Sequence, residues 1–205
     1  MLKSALQSEQ TDRLLRWFSK LGLSPTAWTV LAVVLAVAGC IALVGHNLTA
    51  GLILFAVSGF LDMMDGAVAR ATNTSSALGA FIDGVLDRYV EMLLILGLMY
   101  YLGPDNVLLG LPISVWIALL IFGSAMTSFI RAYADHRNLL KDPILLKKMG
   151  GVLERAERLM LLYLGMFLGI FDQKYLAWAV VLAAILSNAT AIQRFFFAIK
   201  HGKKM

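Results

Sequence analysis

Apolar residues run along this chain in long blocks broken by short polar segments. Six blocks are apolar enough to cross a bilayer, roughly 26–45, 50–69, 77–102, 112–134, 152–171 and 174–197. Each meets the requirement of about 20 residues for a hydrocarbon core of about 30 Å. Lipid offers no partner to an unpaired N–H or C=O, so the blocks are predicted to be helices. Their short connections predict antiparallel neighbours packed as one bundle. The expected fold is all-α: a polytopic membrane protein with six transmembrane helices, a single membrane domain over 1–205 with its bundle at 26–197.

Composition supports that reading. Of 205 residues, 60% are hydrophobic and 15% charged, against about 45–50% and about 25% in soluble domains. Disorder, a disulfide scaffold and a nucleic-acid-binding module all fit badly, and the lone Cys40 has no internal partner for a bridge. No cleavable signal peptide is expected in the polar first 20 residues.

The net charge of +5 reads as basic cytoplasmic flanks. Lys3, Arg13, Arg16 and Lys20 precede the first block, and Arg70 lies between the second and third. Arg131, Arg137, Lys141, Lys147 and Lys148 surround the connection between the fourth and fifth, and Lys200, Lys203 and Lys204 end the chain. The alternate connections at 46–49, 103–111 and 171–174 hold only Lys174. Both termini are therefore predicted on the cytoplasmic side of the cell membrane. Leu6, Leu14, Leu15, Trp17 and Phe18, set among charges in 2–20, suggest an amphipathic surface helix in the N-terminal segment.

The informative residues violate the apolar pattern. Asp62 and Asp65 lie near the cytoplasmic end of the second block; Asp83, Asp87 and Glu91 lie inside the third. A carboxylate at the centre of a membrane helix costs at least about 2.5–3.5 kcal/mol. Spacings of i,i+3 for Asp62/Asp65 and i,i+4 for Asp83/Asp87 put each pair on one helix face. The turn at Asn73-Thr74-Ser75 is nearly equidistant from both pairs, so a hairpin brings them to one depth. Four carboxylates there require cations. Oxygen-only ligands favour Mg²⁺, Mn²⁺ or Ca²⁺ over zinc, and four shared carboxylates suit two ions about 3.5–4 Å apart. An Asp–Arg interface is the plainer alternative, but Arg70 and Arg88 are too few to neutralise the cluster. Gly66, Ala67, Ala69 and Ala71, facing Gly79, Ala80 and Gly84, leave room for a substrate or for close helix packing.

Read in order, Asp62-x2-Asp65-Gly66-x2-Ala69-Arg70-x8-Gly79-x3-Asp83-x3-Asp87 resembles the motif of the CDP-alcohol phosphotransferases at each of its eight fixed positions. The resemblance implies a transfer in which an alcohol hydroxyl attacks the β-phosphorus of a CDP-linked lipid, releasing CMP. It implies that Asp62, Asp65 and Asp83 hold a metal pair, with Mg²⁺ expected and Mn²⁺ possible. Asp87 would complete the second metal site and act as general base. Gly66, Arg70, Ser76 and Gly79 would contact the CDP-linked donor. Ser24-Pro25-Thr26-x2-Thr29 resembles a further donor element, with Thr26 where the family usually has Asn or Asp. Homodimers are also implied.

A second polar set, Ser128, Arg131, Arg155 and Arg194, lies near the cytoplasmic ends of the last three blocks. Arginine suits bidentate phosphate recognition; ordinary cytoplasmic flanking charge, with Glu154 paired to Arg158 at i,i+4, is the plainer reading. The stretches Ser128-Phe-Ile-Arg-Ala-Tyr-Ala-Asp135, Glu154-Arg-Ala-Glu-Arg-Leu159 and Gln193-Arg194 resemble the inositol-phosphate-using branch, which makes phosphatidylinositol or archaetidylinositol phosphate. That likeness implies inositol 1-phosphate as acceptor, held by these four residues, with an active site facing the cytoplasm. Glycerol 3-phosphate is the alternative acceptor. A divalent-cation transporter is a distant alternative, disfavoured because 51–57 and 93–98 are apolar and continue no ion path. His46, His136 and His201 stand alone, and Trp28, Trp116 and Trp178 read as interface anchors.

Overall fold

The computed structural model describes residues 25–71, 76–140 and 143–202, with side chains throughout except at 25, 26, 65–71, 143 and 147. The predicted surface helix at 2–20 lies outside the described residues. The described chain is nearly all helical and falls into two compact units, residues 25–42 with 50–94, and residues 43–49 with 95–202.

The first unit is built from α1 (Pro25–Val44), α2 (Leu48–Ala71) and most of α3 (Ala77–Leu102). Trp28 and Ala32 of α1 bury against Leu61 of α2, with Leu35 alongside. Ser58 Oγ donates to the Ala32 carbonyl at 2.7 Å, a hydroxyl satisfied between helices as an apolar setting demands. At Gly39 a Cβ would stand 2.8 Å from the Phe55 ring, so the glycine sets how near these helices come.

The second unit contains a two-stranded ladder and four further helices: β1 (Val107–Leu108), β2 (Leu111–Pro112), α4 (Ile113–His136), α5 (Pro143–Lys148), α6 (Arg155–Gly169) and α7 (Gln173–His201). Ile113, Ile117 and Leu120 of α4, Leu162 and Met166 of α6, and Leu176 and Val180 of α7 are all essentially inaccessible. Asn188 of α7 donates to the Leu119 carbonyl of α4 at 2.8 Å. A Cβ on Gly165 would lie 2.3 Å from that of Ala179, which presses α6 onto α7.

Three features differ from the sequence expectation. The connection at 103–111 is not plain loop: Val107 pairs with Pro112 and Leu108 with Leu111. Leu109 and Gly110, both at positive φ, form its two-residue turn, and Trp116 Nε1 donates to the Leu108 carbonyl at 3.1 Å. The α5 helix lies within the connection between the fourth and fifth blocks. The block 152–171 is helical only over Arg155–Gly169, 15 residues, about 22 Å at 1.5 Å per residue. It starts late because the amides of Leu153 and Glu154 bond to the Thr190 hydroxyl and the Glu157 carboxylate instead.

Among the described residues, three helices are long and apolar enough to cross a membrane: α1 over Ala27–Val44, α4 and α7. The α2 helix offers a shorter apolar stretch, Leu48–Met64, before its carboxylates. The apolar run of α3 is interrupted by Asp83, Asp87, Arg88 and Glu91, although the helix itself is continuous.

Candidate metal and phosphate-binding groups

The α3 helix begins where Ser76 Oγ accepts the Gly79 amide at 3.0 Å, capping an otherwise orphan N–H. From that start, helical spacing puts Asp83, Asp87 and Glu91 on one stripe. The two aspartates are half-buried, whereas Glu91 is only 2% exposed. Asp62 projects from α2 of the same unit, on the turn where Leu61 and Met64 are buried. One carboxylate oxygen from each of Asp62, Asp83 and Asp87 lies within 4.8 Å of the others. Two oxygens bound to one cation at about 2.0–2.6 Å are at most about 4–5 Å apart, so the spacing fits a shared divalent ion. The donor set is all oxygen and triply acidic, which suits a hard cation. Arg88 stands 4.0 Å from Asp87 with its side chain 43% exposed, a long, solvent-screened pair that offsets little of that charge.

The other residues singled out in this region divide in two. Thr29 is buried in α1, and Gly79, whose Cβ would meet only Ser76 Oγ, is exposed in the first turn of α3. The side chains of Asp65, Arg70 and Thr26 lie outside the described residues, as does the surrounding of Gly66.

The second unit gathers the basic set. Arg194 of α7 is 7% exposed. Its Nη1 donates to the Thr127 carbonyl at 2.7 Å, its Nε to the Gly150 carbonyl at 3.5 Å and its Nη2 to Glu154 Oε1 at 3.2 Å. A buried guanidinium needs such acceptors, because an unpaired charge there is strongly destabilising. Thr127 directly precedes Ser128, which is half-buried, and lies one turn before the exposed Arg131. Glu154 directly precedes the half-buried Arg155.

Two arrangements here escaped sequence reasoning. Glu154 pairs with Arg194, forty residues away, where i,i+4 logic offered Arg158. Arg158 itself is 1% exposed, the most buried cation among the described residues. The Glu154-x2-Glu157 pattern before an apolar run was the available signal, since it marks a helix start. It does not reveal the contact with α7.

The comparisons with known proteins point one way. A family model described as CDP-alcohol phosphatidyltransferase matches residues 23–198. Archaetidylinositol phosphate synthase of Methanothermobacter thermautotrophicus is 32% identical over 162 residues, covering 77% of this chain and 75% of the relative. Phosphatidylinositol phosphate synthase of Mycobacterium marinum is 29% identical over 202 residues, covering 95% and 82%. The crystal structure of the Mycobacterium tuberculosis phosphatidylinositol phosphate synthase with manganese and citrate superposes with a TM-score of 0.79 at 25% identity, covering 94% of this chain and 92% of that one. The same enzyme with CDP-DAG bound gives 0.78.

Proposed function

The chain belongs to the CDP-alcohol phosphatidyltransferase family, and from that premise we propose that this membrane enzyme transfers the phosphatidyl or archaetidyl group of a CDP-linked lipid to inositol 1-phosphate, with release of CMP. The observation that carries the reading is the convergence of Asp62, Asp83 and Asp87 within 4.8 Å. These residues, with Asp65, hold a pair of Mg²⁺ ions, for which Mn²⁺ substitutes. Bound dications neutralise a pyrophosphate and stabilise charge on the departing CMP.

Asp87 takes the proton of the acceptor hydroxyl as its oxygen bonds to the β-phosphorus. The bridging P–O bond breaks, and CMP leaves with the electron pair. A carboxylate within hydrogen-bond reach of the hydroxyl is competent for that transfer. Thr26, Thr29, Gly66, Arg70, Ser76 and Gly79 contact the donor. The start of α3 offers backbone amides of the kind that favour phosphate.

Ser128, Arg131, Arg155 and Arg194 hold the phosphate of the acceptor. Three of the five N–H donors of Arg194 engage protein oxygens, which supports a pre-oriented guanidinium there. The enzyme works as a homodimer with six spans in the cell membrane, both termini and the active site on the cytoplasmic side.

Purified protein in detergent, given Mg²⁺, CDP-diacylglycerol or CDP-archaeol and an equimolar mixture of inositol 1-phosphate, glycerol 3-phosphate, inositol and serine, tests the reading. Product mass spectrometry is expected to find the inositol phosphate lipid. A glycerol phosphate product replaces the acceptor but keeps the reaction. No CMP with any alcohol defeats both.

A further inference from the structure

Arg194 does more than present a charge. Its bonds reach the carbonyl of Thr127, next to Ser128, and the carboxylate of Glu154, next to Arg155. A third bond reaches Gly150 in the connection that leads to α6. The guanidinium therefore ties together the backbone segments that carry two of the proposed acceptor groups. Thr127 and Gly150 offer backbone carbonyls, so Glu154 supplies the side-chain acceptor among these three.

The same connection is fastened to α7 one turn earlier. Leu153 N–H donates to Thr190 Oγ1 at 2.9 Å, and Thr190 Oγ1 donates to the Leu186 carbonyl at 2.8 Å. A Cβ on Gly151 would come within 2.0 Å of Thr190 Cγ2, so only glycine lets the segment lie this close. The start of α6 is closed by a capping box, in which Glu157 Oε2 accepts the Glu154 amide at 2.8 Å and the Glu154 side chain accepts the Glu157 amide. The same Glu154 carboxylate, 52% exposed, also takes the bond from Arg194, which joins that guanidinium to the first turn of α6.

We propose that Glu154 is a positioning residue for acceptor binding, which aims the Arg194 guanidinium and couples it to the first turn of α6. The inference rests on the acceptor assignment above. It makes a prediction opposite in sign to simple electrostatics. A carboxylate near a phosphate site repels the anion, so its removal should tighten binding if charge alone mattered. If Glu154 orients Arg194, its removal weakens binding.

The test compares wild type with Glu154→Ala, Glu154→Gln and Glu154→Asp, each purified at full length in detergent with Mg²⁺. The measured quantities are kcat and the KM values for inositol 1-phosphate and CDP-diacylglycerol. Glu154→Ala is expected to raise the acceptor KM about tenfold, as loss of one charge-assisted hydrogen bond would. Donor KM and kcat should stay within about twofold. Glu154→Gln, which keeps an acceptor oxygen without the charge, should restore most of the affinity.

An acceptor KM that falls or does not move on Glu154→Ala overturns the proposal, as does a rise matched by the donor KM. Should the alanine variant fail to fold, Glu154→Asp keeps the charge but shortens the reach, and an unchanged acceptor KM in that variant overturns it equally. Wild type lacking all CMP release refutes the underlying reading instead. Release by wild type with acceptor KM unaltered in the variants refutes only the role of Glu154.

Discussion

The carboxylates of α2 and α3 and the guanidinium of α7 answer burial in opposite ways. Asp62, Asp83 and Asp87 draw three like charges within 4.8 Å of one another, with the nearby Arg88 loosely engaged at 4.0 Å. Arg194 is more buried and is satisfied from three separate segments of its own unit. The first arrangement calls for cations from outside the protein. The second is paired from within its own unit, by two carbonyls and the Glu154 carboxylate. A region that awaits its counter-charge and one that already carries a carboxylate partner should fail differently when altered.

The carboxylate region should fail most severely, through chemistry. Asp87→Asn is expected to lower kcat by about 10³-fold, the middle of the range for a positioned base, while the protein still binds the CDP-linked donor in a filtration assay. Near-normal turnover would remove Asp87 from the role of base. Chelation with EDTA should abolish CMP release, and added Mg²⁺ or Mn²⁺ should restore it without refolding. Activity that survives dialysis against EDTA would break the contrast at its root.

Changes in the basic region should act through affinity. Arg155→Ala is expected to raise the acceptor KM about 10–100-fold, the equivalent of about 1.5–3 kcal/mol for a bond to a charged group, with kcat changing little. Steady-state kinetics over an acceptor series checks it. Smaller again is Gly151→Ala. The added methyl meets Thr190 Cγ2, and relieving such overlap costs about 1–3 kcal/mol, seen as a lower melting temperature with metal binding unaltered. The smallest effect on stability is that of Ser76→Ala, which removes the cap on the Gly79 amide and costs about 1 kcal/mol.

The same contrast explains what the sequence disclosed. Asp83 and Asp87 share one helix, and Asp62 sits one hairpin away, so helical periodicity and a turn position were enough to expect a cluster. The cost of charge in an apolar block made it visible. The clasp around Arg194 joins Thr127, Gly150 and Glu154, separated from it by 67, 44 and 40 residues. Two of those three partners are carbonyl oxygens, which no residue type advertises. Long apolar blocks likewise announced helices, but not where they end. The start of α6 depends on Thr190 and Glu157 capturing two amides, and the ladder at Val107–Pro112 on the positive φ angles of Leu109 and Gly110.

The central claim, that one helical hairpin gathers aspartates around divalent cations, is tested most directly by anomalous diffraction from crystals of the full-length protein grown with Mn²⁺. Manganese peaks within about 2.0–2.6 Å of Asp62, Asp83 and Asp87 oxygens are the expected result. An anomalous map with no peak at these three side chains, at a Mn²⁺ concentration that supports turnover, would contradict it.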